Sequence, residues 1–172
     1  IHENGRATSI ELADGRRIIA ARAVIAGVAP RALPRLTGGT TPAFDGAMDK
    51  FRHAPGTMMI HLAMDDLPDW SAGEALRSHA YVHVAPSLDQ MARTYQQAQA
   101  GLLPDEPILV VGQPTAFDPS RAPGGKHILW LQVRMAPGRI MGDAKGEIRA
   151  TDWANAATPF AERALSILEA HA

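Results

Sequence analysis

The chain has 172 residues, 46% of them hydrophobic and 20% charged, which predicts a folded, soluble protein with an apolar core and excludes intrinsic disorder. A net charge of −1 and a pI near 6.7 indicate no basic surface, so nucleic acid is not expected as a partner. The absence of cysteine excludes disulfides and thiolate chemistry. No apolar run approaches the roughly 20 residues that cross a bilayer, so no transmembrane segment is expected.

The first predicted elements are two strands, 7–12 and 17–26, joined by a hairpin turn at Asp14 and Gly15. The second strand is apolar at successive positions from Ala23 to Ala26, as expected of a strand buried on both faces. A short helix is predicted over 30–36 and a loop over 37–42. A domain boundary is expected between Ala29 and Gly46.

Four further strands are predicted from apolar segments. They cover 57–64, which reads as a buried strand, and 79–85, 108–112 and 127–135. Only one strong helix interrupts them, which disfavours regular βαβ winding. We therefore expect an α+β fold in which residues from about 47 to 140 form a mixed or antiparallel sheet with helices on one face.

The mid-chain helix is predicted from its cap and its end. Ser87 with Gln90 three residues later is a capping-box pattern, and Gly101 suits the position after the last turn. Residues at helical spacing predict its apolar face: Leu88, Met91, Ala92 and Tyr95.

A last helix is predicted to start at a Thr158 cap with Pro159 in its first position. Its apolar stripe is expected to be Phe160, Ala164, Ile167 and Leu168.

The loop at 113–127, QPTAFDPSRAPGGKH, contains three prolines that fix φ and two glycines that permit unusual backbone angles. It predicts a rigid, shaped loop that enters a strand. Its D-P-S-x-A-P-x-G-x-H pattern resembles the substrate-domain region of phytoene desaturase-like FAD-dependent oxidoreductases, within the flavin amine oxidase superfamily. Three other stretches resemble that family in the same order: ADGRRIIAARAVIAGVAPRALPRLTG, KFRHAPGTMMIHLAMDDLP and SLDQMARTYQQAQAGLLPDEP.

The resemblance implies that residues 1–36 are the closing hairpin of the FAD-binding domain and the crossover, and that 47–172 are an incomplete substrate-binding domain. The start at Ile1 and the end at Ala172, inside an apparent helix, also predict a fragment. The family's cofactor would be FAD, with Ala26, Gly27, Val28 and Pro30 matching the place where its backbone passes close to the flavin. Because the G-x-G-x-x-G fingerprint is absent, the chain alone is expected neither to retain FAD nor to turn over substrate.

The histidines raise the question of a metal site. His79, Tyr81 and His83 alternate with Ala80, Val82 and Val84 and are expected on one strand face, where with His61 three imidazoles could meet. No carboxylate stands in register, so we expect this face to meet solvent or a substrate pocket, with no metal. His61, His79, Tyr81 and His83 are therefore the predicted substrate-binding residues.

The predicted function is the substrate domain of an FAD-dependent oxidoreductase acting on a small apolar substrate. The alternative is a non-enzymatic α+β binding or interaction domain. A hydrolase is disfavoured because no nucleophile-elbow motif is present, and no catalytic residue is assigned. The expected location is the cytoplasm, with membrane association left open, and apolar surface exposed without the FAD domain predicts self-association into a homo-oligomer.

Overall fold

The computed structural model describes residues 1–172, with the exception of the side chain of His2. The chain divides into two compact units, Ile1–His53 and Ala54–Ala172. The division falls outside the predicted 29–46 interval. The assignment of the two units to parts of a flavoprotein stays a prediction.

The N-terminal unit contains short strands and two short helices. Its elements are β1 (His2–Glu3), β2 (Arg6–Ala7), β3 (Ser9–Glu11), β4 (Arg17–Ile19), α1 (Ala32–Thr37) and α2 (Pro42–Asp49). The predicted hairpin at Asp14 and Gly15 is confirmed, since β3 and β4 pair antiparallel around it and Gly15 has a φ of 82°. The predicted helix over 30–36 is confirmed as α1, whereas α2 was not predicted.

The expectation that a buried strand continues to Ala26 is wrong. The second strand ends at Ile19, and Ile25 is 93% exposed. The physical reason is the lack of a partner. Ala20 still donates to the Thr8 carbonyl, but the residues before Thr8 pair with β1 instead.

The C-terminal unit has an antiparallel sheet of four strands, in the order β5–β9–β8–β6. Its strands are β5 (Gly56–Met64), β6 (Tyr81–Val84), β8 (Ile108–Gly112) and β9 (His127–Ala136), while β7 (Leu102–Leu103) and β10 (Gly142–Asp143) form a separate parallel pair. The predicted α+β fold with a mixed or antiparallel sheet is confirmed. The predicted strand over 57–64 is confirmed as β5, but only alternate side chains are partly buried, so the expected burial of the whole strand is wrong.

The core lies on the face of the sheet that packs against α4 (Trp153–Glu169). Leu129, Leu131 and Val133 of β9 are fully buried there. The buried residues of α4 recur at helical spacing: Ala156, Phe160, Ala164 and Leu168. We call this the inner face of the sheet and the opposite side the outer face.

The predicted start of the last helix is wrong. Asp152 is the N-cap, accepting a hydrogen bond from the Asn155 amide at 3.0 Å, and Pro159 lies inside the helix. A proline is common in the first turn of a helix, which is why the sequence suggested a start at Pro159. The helix starts six residues earlier, at Trp153, because the Asp152 carboxylate caps the free amides there.

The mid-chain helix is confirmed as α3 (Leu88–Gln99), with the Ser87 side chain accepting from the Gln90 amide and Gly101 at a φ of 79° after the last turn. Its predicted apolar face is wrong. Leu88 is 79% exposed, and the buried residues are Gln90, Thr94 and Ala98. Gln90 and Thr94 both donate to the Glu106 carbonyl, so the buried side of the helix satisfies a backbone acceptor.

One irregularity interrupts the long β5–β9 pair. Met135 has a positive φ of 60°, and the register shifts between Gly56 and Thr57. These features mark a β-bulge near the end of β9.

Candidate functional site

The outer face of the four-stranded sheet carries a row of rings that runs across the strands. His61 of β5 stands opposite Trp130 of β9, Trp130 opposite Gly112 of β8, and Gly112 opposite Tyr81 of β6. We call these residues the aromatic row. The His61 and Trp130 rings meet edge to face with centroids 6.4 Å apart, and Tyr81 is 50% exposed. The row therefore offers ring surface on three of the four strands.

Gly112 is the one member of the aromatic row without a ring, which leaves space between Trp130 and Tyr81. An added Cβ atom at Gly112 would lie 3.0 Å from Tyr81 Cε1 and 3.5 Å from Trp130 Cβ. The ring of Tyr81 therefore lies against the bare backbone of β8, next to the base of the Trp130 side chain. Any side chain at this position would push Tyr81 away.

A second row lies beside the first on the same face. It contains Met59, Gln132, Val110 and His83. Met59 is 43% exposed and His83 is also exposed. Together the two rows form a mixed apolar and polar surface, in contrast to the inner face, whose buried residues are apolar.

The loop after β8 borders the aromatic row. Two 3₁₀ turns, Pro114–Ala116 and Pro119–Arg121, shape it, and Gly124 and Gly125 both have positive φ, so the prediction of a shaped loop entering a strand is confirmed. Arg121 places its guanidinium carbon 5.6 Å from the ring centre of Trp130. The loop thereby brings one cation onto an aromatic surface, a favourable cation–π arrangement.

Asp118 holds Arg121 in that position. Its carboxylate accepts a hydrogen bond from Arg121 Nε at 3.0 Å and another from the Ser120 hydroxyl. The Ser120 hydroxyl first, and Arg121 after it, hold the pKa of Asp118 below its ordinary value of 3.8. The carboxylate is therefore ionised at neutral pH and partly offsets the charge of Arg121.

Gln113 anchors the start of this loop. Its side chain is buried, donates to the carbonyls of Leu76 and His79, and accepts from Trp70 Nε1 at 3.0 Å. All polar atoms of the amide group thus have partners. This network fixes the loop to the segment that precedes β6.

The structure separates the predicted substrate-binding residues. Tyr81 and His83 share the exposed side of β6, as predicted, while Val82 and Val84 are buried. His79 lies before the strand, and its Nδ1 is 3.0 Å from the Ala75 carbonyl oxygen, so its predicted place in the strand is wrong.

The idea that His61 joins His79 and His83 is also wrong. β5 and β6 are the two opposite edges of the sheet, so about 14 Å separates their backbones. Among the residues that the structure describes, no three metal-binding side chains lie close enough to hold an ion.

The predicted flavin-contacting residues lie at a cavity within the N-terminal unit. Ala26, Gly27 and Val28 line this cavity of about 570 Å³, whereas Pro30 does not. Most of the other lining residues are apolar: Ile1, Ala7, Ser9, Ile10, Glu11, Val24, Ile25, Leu33, Leu36, Thr37 and Gly38. The cavity is therefore suited to an apolar group more than to a charged one.

Sequence reasoning missed Trp130, Gly112 and Arg121. The alternation within HILWLQVRM was the available signal, because fully buried Leu129, Leu131 and Val133 leave Trp130 facing outward. Gly112 and Arg121 gave no such signal, since their roles depend on cross-strand register and on the path of the loop.

Comparison of the chain with protein-family models, curated proteins and solved structures finds no match. Within the described part of the chain, no helix is long and apolar enough to cross a membrane.

Proposed function

We propose that the chain is the substrate-binding part of an FAD-dependent oxidoreductase of the desaturase or dehydrogenase type, and that the outer face of its sheet receives an apolar substrate. The observation that carries the proposal is the aromatic row. His61, Trp130 and Tyr81 lie in register across the sheet, and the small Gly112 lets the Tyr81 ring lie against the backbone.

The chemistry of flavin enzymes is compatible with such a face. The flavin itself carries the hydride or the electrons, so the protein has to bind, orient and desolvate the substrate. Aromatic rings bury much apolar area while few rotatable bonds are fixed, which suits a flat or unsaturated molecule. No residue of this chain is assigned a catalytic role in the proposal.

The cavity of the N-terminal unit supports the cofactor side of the proposal. Ala26, Gly27 and Val28 line it, and the small Ala26 and Gly27 leave the backbone open to close approach. In the parent protein this segment would provide backbone contacts to the flavin. The pyrophosphate would be held elsewhere, because the chain lacks the glycine-rich turn that binds it.

A second candidate function is an α+β interaction domain without enzymatic activity. The exposed stripe of α3 favours it, since Leu88, Met91 and Tyr95 are 79%, 43% and 45% exposed. An apolar stripe on one helix is typical of a surface that binds another protein. Flavin content separates the two candidates.

The first test is the absorption spectrum of the parent protein that contains this chain, which should show a bound flavin. The chain alone, mixed with excess FAD and desalted, should emerge without it. A parent protein without flavin would favour the interaction domain. Stoichiometric FAD on the desalted chain would contradict the proposed division of the site.

The second test addresses the outer face directly. The methyl ester of trans-parinaric acid, a polyene that becomes fluorescent in apolar surroundings, should bind the chain. Trp130→Leu should weaken this binding about two- to tenfold, because it removes a stacking surface worth roughly 0.5–1.5 kcal/mol. Tyr95→Leu on α3 is the matched control and should leave binding unchanged. Loss of binding in the control alone would place the ligand on α3.

A further inference from the structure

The Arg121 guanidinium at the border of the aromatic row has unused hydrogen-bond donors. Its Nε donates to Asp118, but in the described part of the chain its two Nη atoms donate to no acceptor. The side chain is 45% exposed, and its guanidinium lies over the Trp130 ring. A guanidinium fork in this state matches the two oxygens of a carboxylate.

The charges on the outer face also favour an anion. Arg134 points outward from β9 in line with Trp130 and Gln132, and donates to the Gln132 side chain at 3.1 Å. The titratable groups of the two rows are His61, Tyr81 and His83. The one carboxylate in contact with Arg121 is Asp118. Arg121 and Arg134 thus place two positive charges on or beside the outer face, and Asp118 is the carboxylate bonded to Arg121.

We infer that the outer face binds an apolar, planar molecule that ends in a carboxylate, with its body on the aromatic row and its carboxylate on the Nη atoms of Arg121. This inference rests on the proposed function, and it narrows the substrate class from any apolar molecule to an amphipathic acid. Arg121 is then the residue that selects the acid. A neutral hydrocarbon or ester would contact the aromatic row but would form no charge-assisted hydrogen bond with Arg121.

The test compares two probes that differ only in charge, trans-parinaric acid and its methyl ester, by their fluorescence on titration with the chain. The acid should bind about tenfold more tightly than the ester, the low end of what charge-assisted hydrogen bonds supply, because Arg121 is half exposed and already paired on one side. Arg121→Met should remove this advantage, so that the acid and the ester then bind about equally. Arg121→Lys should restore part of it, and added salt should weaken only the acid.

Arg93→Met is the matched control. Arg93 is also an exposed arginine paired with one carboxylate, Glu106, but it lies on α3. Unfolding curves of all variants should coincide with that of the wild type, so that a change in binding does not reflect a loss of folding.

The outcomes distinguish the inferred carboxylate contact of Arg121 from the proposed binding site on the outer face. Equal binding of acid and ester to the wild type, or unchanged acid binding in Arg121→Met, would overturn the inference and leave the proposed outer-face site intact. Tighter binding of both probes by Arg121→Met would also overturn it, because Arg121 would then occupy the place of the ligand. Failure of both probes to bind, or full binding in Trp130→Leu, would remove the outer-face site and the inference together.

Discussion

The buried ion pair between Asp143 and Arg163 gives the most quantitative prediction. The two side chains are only 1% and 7% exposed, and they share two hydrogen bonds of 2.7 and 2.8 Å. Asp143 also accepts from the amides of Glu147 and Ile148, and Arg163 donates to the Pro104 carbonyl. Replacing Asp143 with alanine would leave the buried Arg163 with only the Pro104 carbonyl and, at 3.6 Å, the exposed Glu147 carboxylate. We expect a loss of about 3–5 kcal/mol in the free energy of unfolding.

The pH dependence gives a second magnitude for the same pair. Burial alone would raise the pKa of Asp143, but the hydrogen bonds from Arg163, Ile148 and Glu147 outweigh it and lower the pKa from 3.8 to about 2. Each pKa unit corresponds to about 1.4 kcal/mol, so the partners of the ionised Asp143 carboxylate together contribute about 2.5 kcal/mol. Because the folded pKa is lowered, this stability is present above pH 3.8 and is lost as the pH falls through about 2.

Urea unfolding followed by tryptophan fluorescence is the appropriate assay. All three tryptophans, Trp70, Trp130 and Trp153, lie in the unit that contains the pair, so the signal reports that unit alone. Arg163→Met should cost about as much as Asp143→Ala, and the double variant should cost clearly less than their sum.

Arg93→Ala breaks an exposed ion pair and should cost less than about 1 kcal/mol. Two results would refute the reasoning. One is that Asp143→Ala lowers the free energy of unfolding no more than Arg93→Ala does. The other is that Asp143→Ala loses stability below pH 3.8 to the same extent as the wild type.

Three further substitutions are predicted to destabilise the same unit in the same assay. Gly101→Ala should cost about 1–3 kcal/mol, because Gly101 has a φ of 79° and its new Cβ would lie 2.6 Å from Met141 Cγ. The control Gly138→Ala should be nearly neutral, because no atom lies within 4 Å of its new Cβ. Equal effects of the two substitutions would contradict this explanation. Gln113→Leu should cost about 1–3 kcal/mol, because it removes the partner of the buried Trp70 Nε1 and the donors to the Leu76 and His79 carbonyls. Gln99→Leu on the surface should have little effect. Ser87→Ala should cost about 1 kcal/mol through the lost N-cap of α3, and restoration of stability by Ser87→Asp would confirm the cause.

Local patterns predicted local structure well. The hairpin at Gly15, the Ser87 cap and the αL glycine at Gly101 were all found where the sequence placed them, because each depends on a few neighbouring residues. The strand segments of the main sheet were likewise predicted from their apolar runs.

Features that depend on distant partners were not predicted. The apolar spacing of Leu88, Met91 and Tyr95 indicated the wrong side of α3, because the Glu106 carbonyl selects Gln90 and Thr94 for burial instead. The sequence left open that His61 and His83 could meet, but the strand order places them on opposite edges of the sheet. The aromatic row likewise required the register of β5, β9, β8 and β6, which no local pattern contains.

The β-bulge at Met135 reverses the alternation of inward- and outward-pointing side chains along β9. Before it, even-numbered positions such as Trp130 and Arg134 point to the outer face, while odd-numbered positions are buried. After it, Ala136 and Pro137 are both buried, and the Pro137 carbonyl accepts from Trp153 Nε1 at the start of α4. The single extra residue therefore limits how far the outer face extends along β9 and returns the chain to the core. Regular alternation without the bulge would place Ala136, two residues after Arg134, on the outer face, so the length of the exposed surface and the docking of α4 are coupled through one backbone irregularity.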